Sequence, residues 1–229
     1  MEPQFKAIAD HALLVSFAEE ISEQAHAHVI ALDAALAADM PEGVIETVPA
    51  LVNLLVSFDP MATDHDAVTD QVSARLRGIT AQSVTGAERL VQVCYEQPFA
   101  PDLDAVASAT GLSVEAVINA HLAGDFQVLM YGFAPGYAYL TGVPEPIQVP
   151  RKAKPLRDVP AGSVIIAGAQ CLITTLTMPT GWSIIGRSPT SILTGDTDHP
   201  FLFDVGDRVT FERIDLATYE RMSKGGDHD

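Results

Sequence analysis

Apolar positions follow two different rhythms along the chain, and the change of rhythm divides it. Residues 5–9 and 12–17 are short apolar runs separated by Asp10 and His11, which predicts a hairpin. Ile21, Ala25, Val29, Leu32 and Leu36 then recur at intervals of four and three, one stripe of a helix that Pro41 and Gly43 end. Residues 44–48 and 51–58 predict two further strands, separated near Pro49 and stopped by Asp59 and Pro60. Val68, Val72 and Leu76 mark a second amphipathic helix that reaches Gly78. The sum is a small β-β-α-β-β-α domain over residues 1–85, with the small, polar stretch 80–86 as a linker.

The second domain, residues 86–229, opens with a strand over 90–95. A helix over 102–110, ended by Gly111, and a helix over 113–122, capped by Ser113, follow. From Asp125 onward, short apolar runs at 127–131, 163–167, 172–176 and 208–214 alternate with Gly and Pro turns, which predicts a closed, barrel-like antiparallel sheet. The fold class is therefore α+β: a small α+β domain, then an antiparallel β-barrel domain with short helices.

Composition narrows the function classes. The longest apolar runs, such as 51–58, fall well short of the roughly 18 residues that span a bilayer, and residues 1–10 show neither a secretory signal nor a basic transit peptide. A cytoplasmic protein with no membrane partner is expected. Cys94 and Cys171 match no zinc or redox spacing, so free buried thiols are expected, and no metal site has support. Thirteen Lys and Arg against thirty Asp and Glu leave a net charge of −17, which repels nucleic acid. The few cations are unevenly placed: Arg151, Lys152, Lys154 and Arg157 crowd together after a stretch, 90–150, that has no Lys or Arg at all.

Four segments are candidates for chemistry. Residues 132–140, with Gly132, Phe133, Pro135, Gly136, Tyr137 and Tyr139, form either an ordinary turn pinned by buried aromatics or a loop presenting backbone N–H groups and ring faces. The run 150–157 is either a solvated loop or an anion reader. Its like charges repel, its prolines stiffen it, and arginine can grip a carboxylate or phosphate bidentately. Residues 179–189 contain the single tryptophan, Trp182, and Arg187; Trp182 suits a core position, whereas Arg187 is harder to explain by packing. His121 shares a helical face with Val114, Val117 and Ile118 near the helix end, where it either complements the helix terminus or acts as a general acid or base. No G-x-S-x-G elbow, H-E-x-x-H pair or phosphate-loop lysine occurs, so any catalysis points to a site shared with another chain.

The order and content of Val93-Cys94-Tyr95, Asp102-Leu103, Thr110-Gly111-Leu112, His121, residues 132–140, Pro150-Arg151, residues 159–163, Gly181-Trp182, Ile185-Gly186-Arg187 and residues 206–209 resemble the allophanate hydrolase subunit 1 family. That family includes the 5-oxoprolinase component PxpB and the kinase inhibitor KipI. The resemblance implies a cyclophilin-like second domain that pairs with a homologous larger subunit (allophanate hydrolase subunit 2, PxpC-like) across a shared cleft. It also implies ATP-dependent opening of 5-oxoproline, with a PxpA-like third subunit completing hydrolysis. On that reading His121 and Arg187 are catalytic. Arg151, Lys152, Arg157, Trp182 and the glycine-aromatic loop bind a small anionic or amide substrate, and ATP is shared with the partner.

Two further family activities compete. One is half of a biotin-dependent carboxyltransferase of the urea carboxylase kind, with biotin on a separate chain; the other is KipI-like inhibition of a histidine kinase. Prolyl isomerisation rests on fold analogy alone. Departures at Leu156, Thr180 and residues 171–177 from the family's usual blocks leave room for another lactam, an amide or a urea-like compound.

Overall fold

The computed structural model describes residues 2–20, 22–79 and 86–225. The chain divides into two compact units, 1–84 and 85–229. Most of the linker expected at 80–86 lies outside the described residues.

In the first unit, β1 (Gln4–Ile8), β2 (Ala12–Ser16), β3 (Val44–Ala50) and β4 (Asn53–Phe58) form an antiparallel sheet of order β1-β2-β4-β3. The helices α1 (Glu23–Ala38) and α2 (His65–Leu76) begin where side chains accept free first-turn N–H groups: Ser22 from Ala25 and Asp64 from Ala67. The stripe Ala25, Val29, Leu32 and Leu36 is fully buried, together with Leu54, Val56, Val68 and Val72. One boundary differs from the sequence reading. β3 runs through Pro49 to Ala50, and the turn falls at Leu51, whose φ is 48°. β3 is an edge strand, where a residue without an N–H is tolerated.

The second unit is built on a closed barrel of order β10-β7-β6-β13-β5-β12-β9. Its strands are β5 (Glu88–Cys94), β6 (Phe126–Tyr131), β7 (Ala138–Thr141), β9 (Ser163–Ala167), β10 (Gln170–Ile173), β12 (Ser183–Arg187) and β13 (Arg208–Ile214). A separate ribbon pairs β8 (Leu156–Val159) with β11 (Met178–Thr180). The helices are α3 (Leu103–Thr110), α4 (Val114–Leu122) and α5 (Leu216–Gly225).

Two expectations need correction. The barrel is not purely antiparallel, because β5 and β13, the strands that begin and end it, run side by side in the same direction over seven residue pairs. Everything between them serves as the crossover a parallel pair requires. The strand expected at 172–176 instead spans Gln170–Ile173. Beyond it Thr174 still exchanges backbone hydrogen bonds with Ser163 O and Gly162 N–H, while its Oγ1 donates to Pro160 O and accepts from Ser163 N–H, and Thr175 Oγ1 donates to Pro135 O.

Strand periodicity explains why both faces of these strands are apolar. Val164 and Ile166 of β9, Cys171 and Ile173 of β10, Ala138 and Leu140 of β7, and Ile185 of β12 join the main core with Val106 of α3 and Val117 and Ile118 of α4. Their alternates Ile165, Ala167, Leu172, Tyr139 and Ile184 point the other way, into a second cluster with Tyr137, Trp182 and Val159 of β8. The barrel is thus filled inside and covered outside, and the second cluster lies beneath the cationic run.

Candidate functional site: a cationic and aromatic face

The outer cluster gathers three of the four segments singled out in the sequence. Trp182 is buried, its backbone N–H donating to Thr180 Oγ1 at 3.1 Å. Tyr139 meets it edge-on with ring centroids 6.0 Å apart. The Arg151 guanidinium carbon lies 5.5 Å from the Trp182 ring centroid, a cation–π contact with the charge at the surface. Lys154 and Arg157 are also exposed, and neither forms an ion pair among the described residues. Leu156 is paired with Thr180, so the ribbon brings Arg157, the next residue, toward the segment that carries Trp182.

The loop 132–137 contributes rings and not an amide nest. The N–H groups of Gly132, Ala134 and Tyr137 donate to carbonyls of the same loop, namely those of Tyr137, Gly132 and Ala134. Phe133 takes a φ of 71° and stands 74% exposed, 5.6 Å from the buried Tyr137 ring. Burial, with Tyr139 adding to it, pushes the Tyr137 hydroxyl up to about 12, so it stays protonated as a donor. Gly136 takes a φ of +72°, a backbone conformation that side chains rarely adopt, and a Cβ there would also press on the Leu193 methyl at 2.8 Å. Pro135 anchors the loop by accepting from Thr175.

Three expected site residues are placed otherwise. Lys152 is engaged within the chain: its ammonium pairs with Asp102, and both side chains are largely buried, 21% and 15% exposed. Arg187 ends β12, with Nε donating to Ala161 O at 3.2 Å and its guanidinium over Phe99. His121 is a core residue rather than the expected acid or base. It is fully buried between Phe126 and Phe211, with Nδ1 2.8 Å from the Tyr95 hydroxyl and Nε2 3.6 Å from Cys171 Sγ. Burial lowers its pKa to about 3, so the ring is neutral at neutral pH and has no surface from which to meet a substrate.

Asp102 was legible in the sequence as a helix start and as part of one resembling block, but not as the partner of Lys152. No group of three His, Cys, Asp or Glu side chains gathers as a metal site among the described residues. Among the same residues, no helix is long and apolar enough to cross a membrane.

Comparison with known proteins agrees with this architecture. The 5-oxoprolinase B-subunit of Bacillus subtilis (strain 168) is 36% identical over 228 residues, covering 94% of this chain and 95% of that protein. The crystal structure of TTHA0988 superposes with a TM-score of 0.79 at 32% identity, covering 90% of this chain; the match spans 40% of the TTHA0988 chain. Urea carboxylase of Kluyveromyces lactis shares the fold, with a TM-score of 0.82 at 16% identity over 98% of this chain and 23% of its own. The family described as carboxyltransferase domain, subdomain C and D, matches residues 3–203. The chain belongs to that carboxyltransferase-domain family, and the B-subunit of a bacterial 5-oxoprolinase matches it over nearly its whole length.

Proposed function

We propose that this chain is the smaller subunit of a 5-oxoprolinase-like complex, and that its cationic and aromatic face receives a small carboxylate-bearing lactam at a site shared with a larger homologous subunit. The observation that carries this reading is the exposed Arg151 guanidinium stacked on Trp182, beside Lys154 and Arg157, in a chain whose net charge is −17. Cations gathered against the prevailing charge attract a small anion, while the net charge of −17 repels the extended polyanion of a nucleic acid. The carboxylate of such a lactam fits a guanidinium fork.

ATP is the proposed co-substrate, as the 5-oxoprolinase reaction demands. The described residues offer phosphate oxygens positive charge but no glycine–lysine cradle, so the proposal gives nucleotide binding mainly to the larger subunit. This chain then orients the lactam and neutralises charge that develops on its amide oxygen. It works in the cytoplasm with two kinds of partner, the larger subunit and a third that completes hydrolysis.

The test is reconstitution with the homologous larger subunit, followed by ATP consumption with 5-oxoproline. The complex should turn over, and Arg151→Ala should lower kcat/KM by about tenfold or more. A complex that consumes no ATP with any lactam, amide or urea-like compound would sink the reading. The likeness in fold to urea carboxylase favours a second one, half of a biotin-dependent carboxyltransferase. Exchange of labelled carboxyl groups with a biotinylated protein, in place of lactam hydrolysis, would select it. Binding of a histidine kinase, with neither activity, would point instead to a regulatory module.

A further inference from the structure

The start of α3 holds an aspartate in an unusual engagement. Asp102 occupies the N-cap position, where its side chain would ordinarily accept from a first-turn N–H, yet it makes no such bond. Its Oδ2 turns instead to the barrel wall, accepting from Ile184 N–H at 2.7 Å and pairing with the Lys152 ammonium. The Asp102 N–H donates back to Ile184 O at 3.1 Å. On the other side, Lys152 N–H donates to Gly181 O at 2.6 Å. The two residues that make the cation–π contact, Arg151 and Trp182, are the immediate neighbours of the two joined by this last bond. One carboxylate therefore ties the helix start, the strand that follows Trp182 and the segment that carries Arg151.

We infer that Asp102 and Lys152 form a positioning pair that holds Arg151 over Trp182 and so sets the affinity of this face for an anion. The inference rests on the proposed anion-binding role of the face. It also explains why a lysine inside a basic run takes no part in binding: its charge is neutralised by Asp102, while its backbone fixes the neighbouring arginine. A flexible Arg151 would have to be ordered by each ligand, and a pre-placed one does not.

Because Trp182 is the only tryptophan, its emission reports on this contact directly. The full chain and its variants Asp102→Asn, Lys152→Met, Lys152→Arg and Arg151→Ala are compared by tryptophan emission, by quenching with inorganic phosphate and by thermal midpoint. Asp102→Asn keeps an acceptor for Ile184 N–H and loses the charge. Asp102→Asn and Lys152→Met should shift the emission in the same direction as Arg151→Ala and raise the half-quenching phosphate concentration by about fivefold, whereas Lys152→Arg should retain wild-type behaviour. In the reconstituted complex the same two variants should raise KM for 5-oxoproline more than they lower kcat.

Wild-type emission and quenching in both Asp102→Asn and Lys152→Met, with both altered in Arg151→Ala, would overturn the positioning role and leave the anion site standing. If Arg151→Ala quenches as wild type does, or if phosphate leaves the wild-type emission unchanged, the anion site fails and the positioning role with it. Should Asp102→Asn not fold, Lys152→Met decides alone.

Discussion

The inside and the outside of the barrel each place a nitrogen base against aromatic rings, and the two arrangements have opposite meanings. Inside, His121 lies between Phe126 and Phe211 and is hydrogen-bonded to Tyr95. Outside, Arg151 lies over Trp182, beside Tyr139. Imidazole can shed its charge, so burial simply makes it neutral and leaves a polar member of the core. Guanidinium cannot, so it stays at the rim with its stem against the ring and its charge toward water. Chemistry toward an anion is available only in the second case, although both residues look like site candidates in a sequence.

The largest expected effect breaks the comparison from the inside. In the unfolded chain His121 takes up a proton near its ordinary value of 6.5; in the folded chain it does so only at about 3. Between those values the unfolded state binds more protons, so His121's contribution to stability is complete above 6.5 and is lost as pH falls toward 3. The full loss is about 5 kcal/mol, and about 3 kcal/mol of it falls by pH ~4. Urea unfolding across that range should show the slope, and His121→Gln should flatten it. An unchanged slope in the variant would return His121 to the list of groups that reach solvent.

Next in size is the silence of the interior thiols. Cys94 and Cys171 are free and fully buried, and burial pushes both thiols up from their ordinary range. A thiol reagent needs the thiolate and a path to it. Native protein should therefore react on the order of 10³-fold more slowly than denatured protein, both thiols appearing together on unfolding. Rapid labelling of Cys171 in the native state would mean that the barrel interior opens.

These cases show what the sequence could carry. The helix stripe from Ala25 to Leu36, the cap at Ser113, the helix stop at Gly111 and the last strand at 208–214 were all legible, because each depends on residues close in sequence. The parallel pairing of β5 with β13 was not, since it joins strands far apart in the chain and leaves no local pattern. Pro49 looked like a break because nothing in its neighbours reveals that β3 is an edge.

The same distance rule governs the face. Trp182, the loop 132–140 and the basic run were visible as three segments, and their meeting follows from strand alternation around a barrel whose order was not. Lys152 and Arg187 looked like members of one cationic set. Asp102, far before Lys152 in the chain, and Ala161 and Phe99, remote from Arg187, engage them instead. Charge content is local information, whereas charge pairing is tertiary.

The smallest effects sharpen the outside half of the comparison. Arg151 and the pair Lys154 and Arg157 carry the same charge in the same run, but of these only Arg151 is packed on a ring among the described residues. Replacing Lys154 or Arg157 with alanine should leave stability within about 0.5 kcal/mol, because both side chains are exposed and neither is held in an ion pair among the described residues. Each should weaken phosphate binding only about twofold at low salt. At an ionic strength near 0.15 M, where charges are screened over about 8 Å, that twofold effect should largely vanish. The Arg151→Ala effect should persist there, since a guanidinium desolvated on one side by an indole acts at contact range. Binding curves at two salt concentrations therefore separate a site from a field. If all three substitutions fade together with salt, Arg151 is one more surface charge and the stack on Trp182 confers nothing; if only Lys154→Ala and Arg157→Ala fade, the anion is held at Arg151.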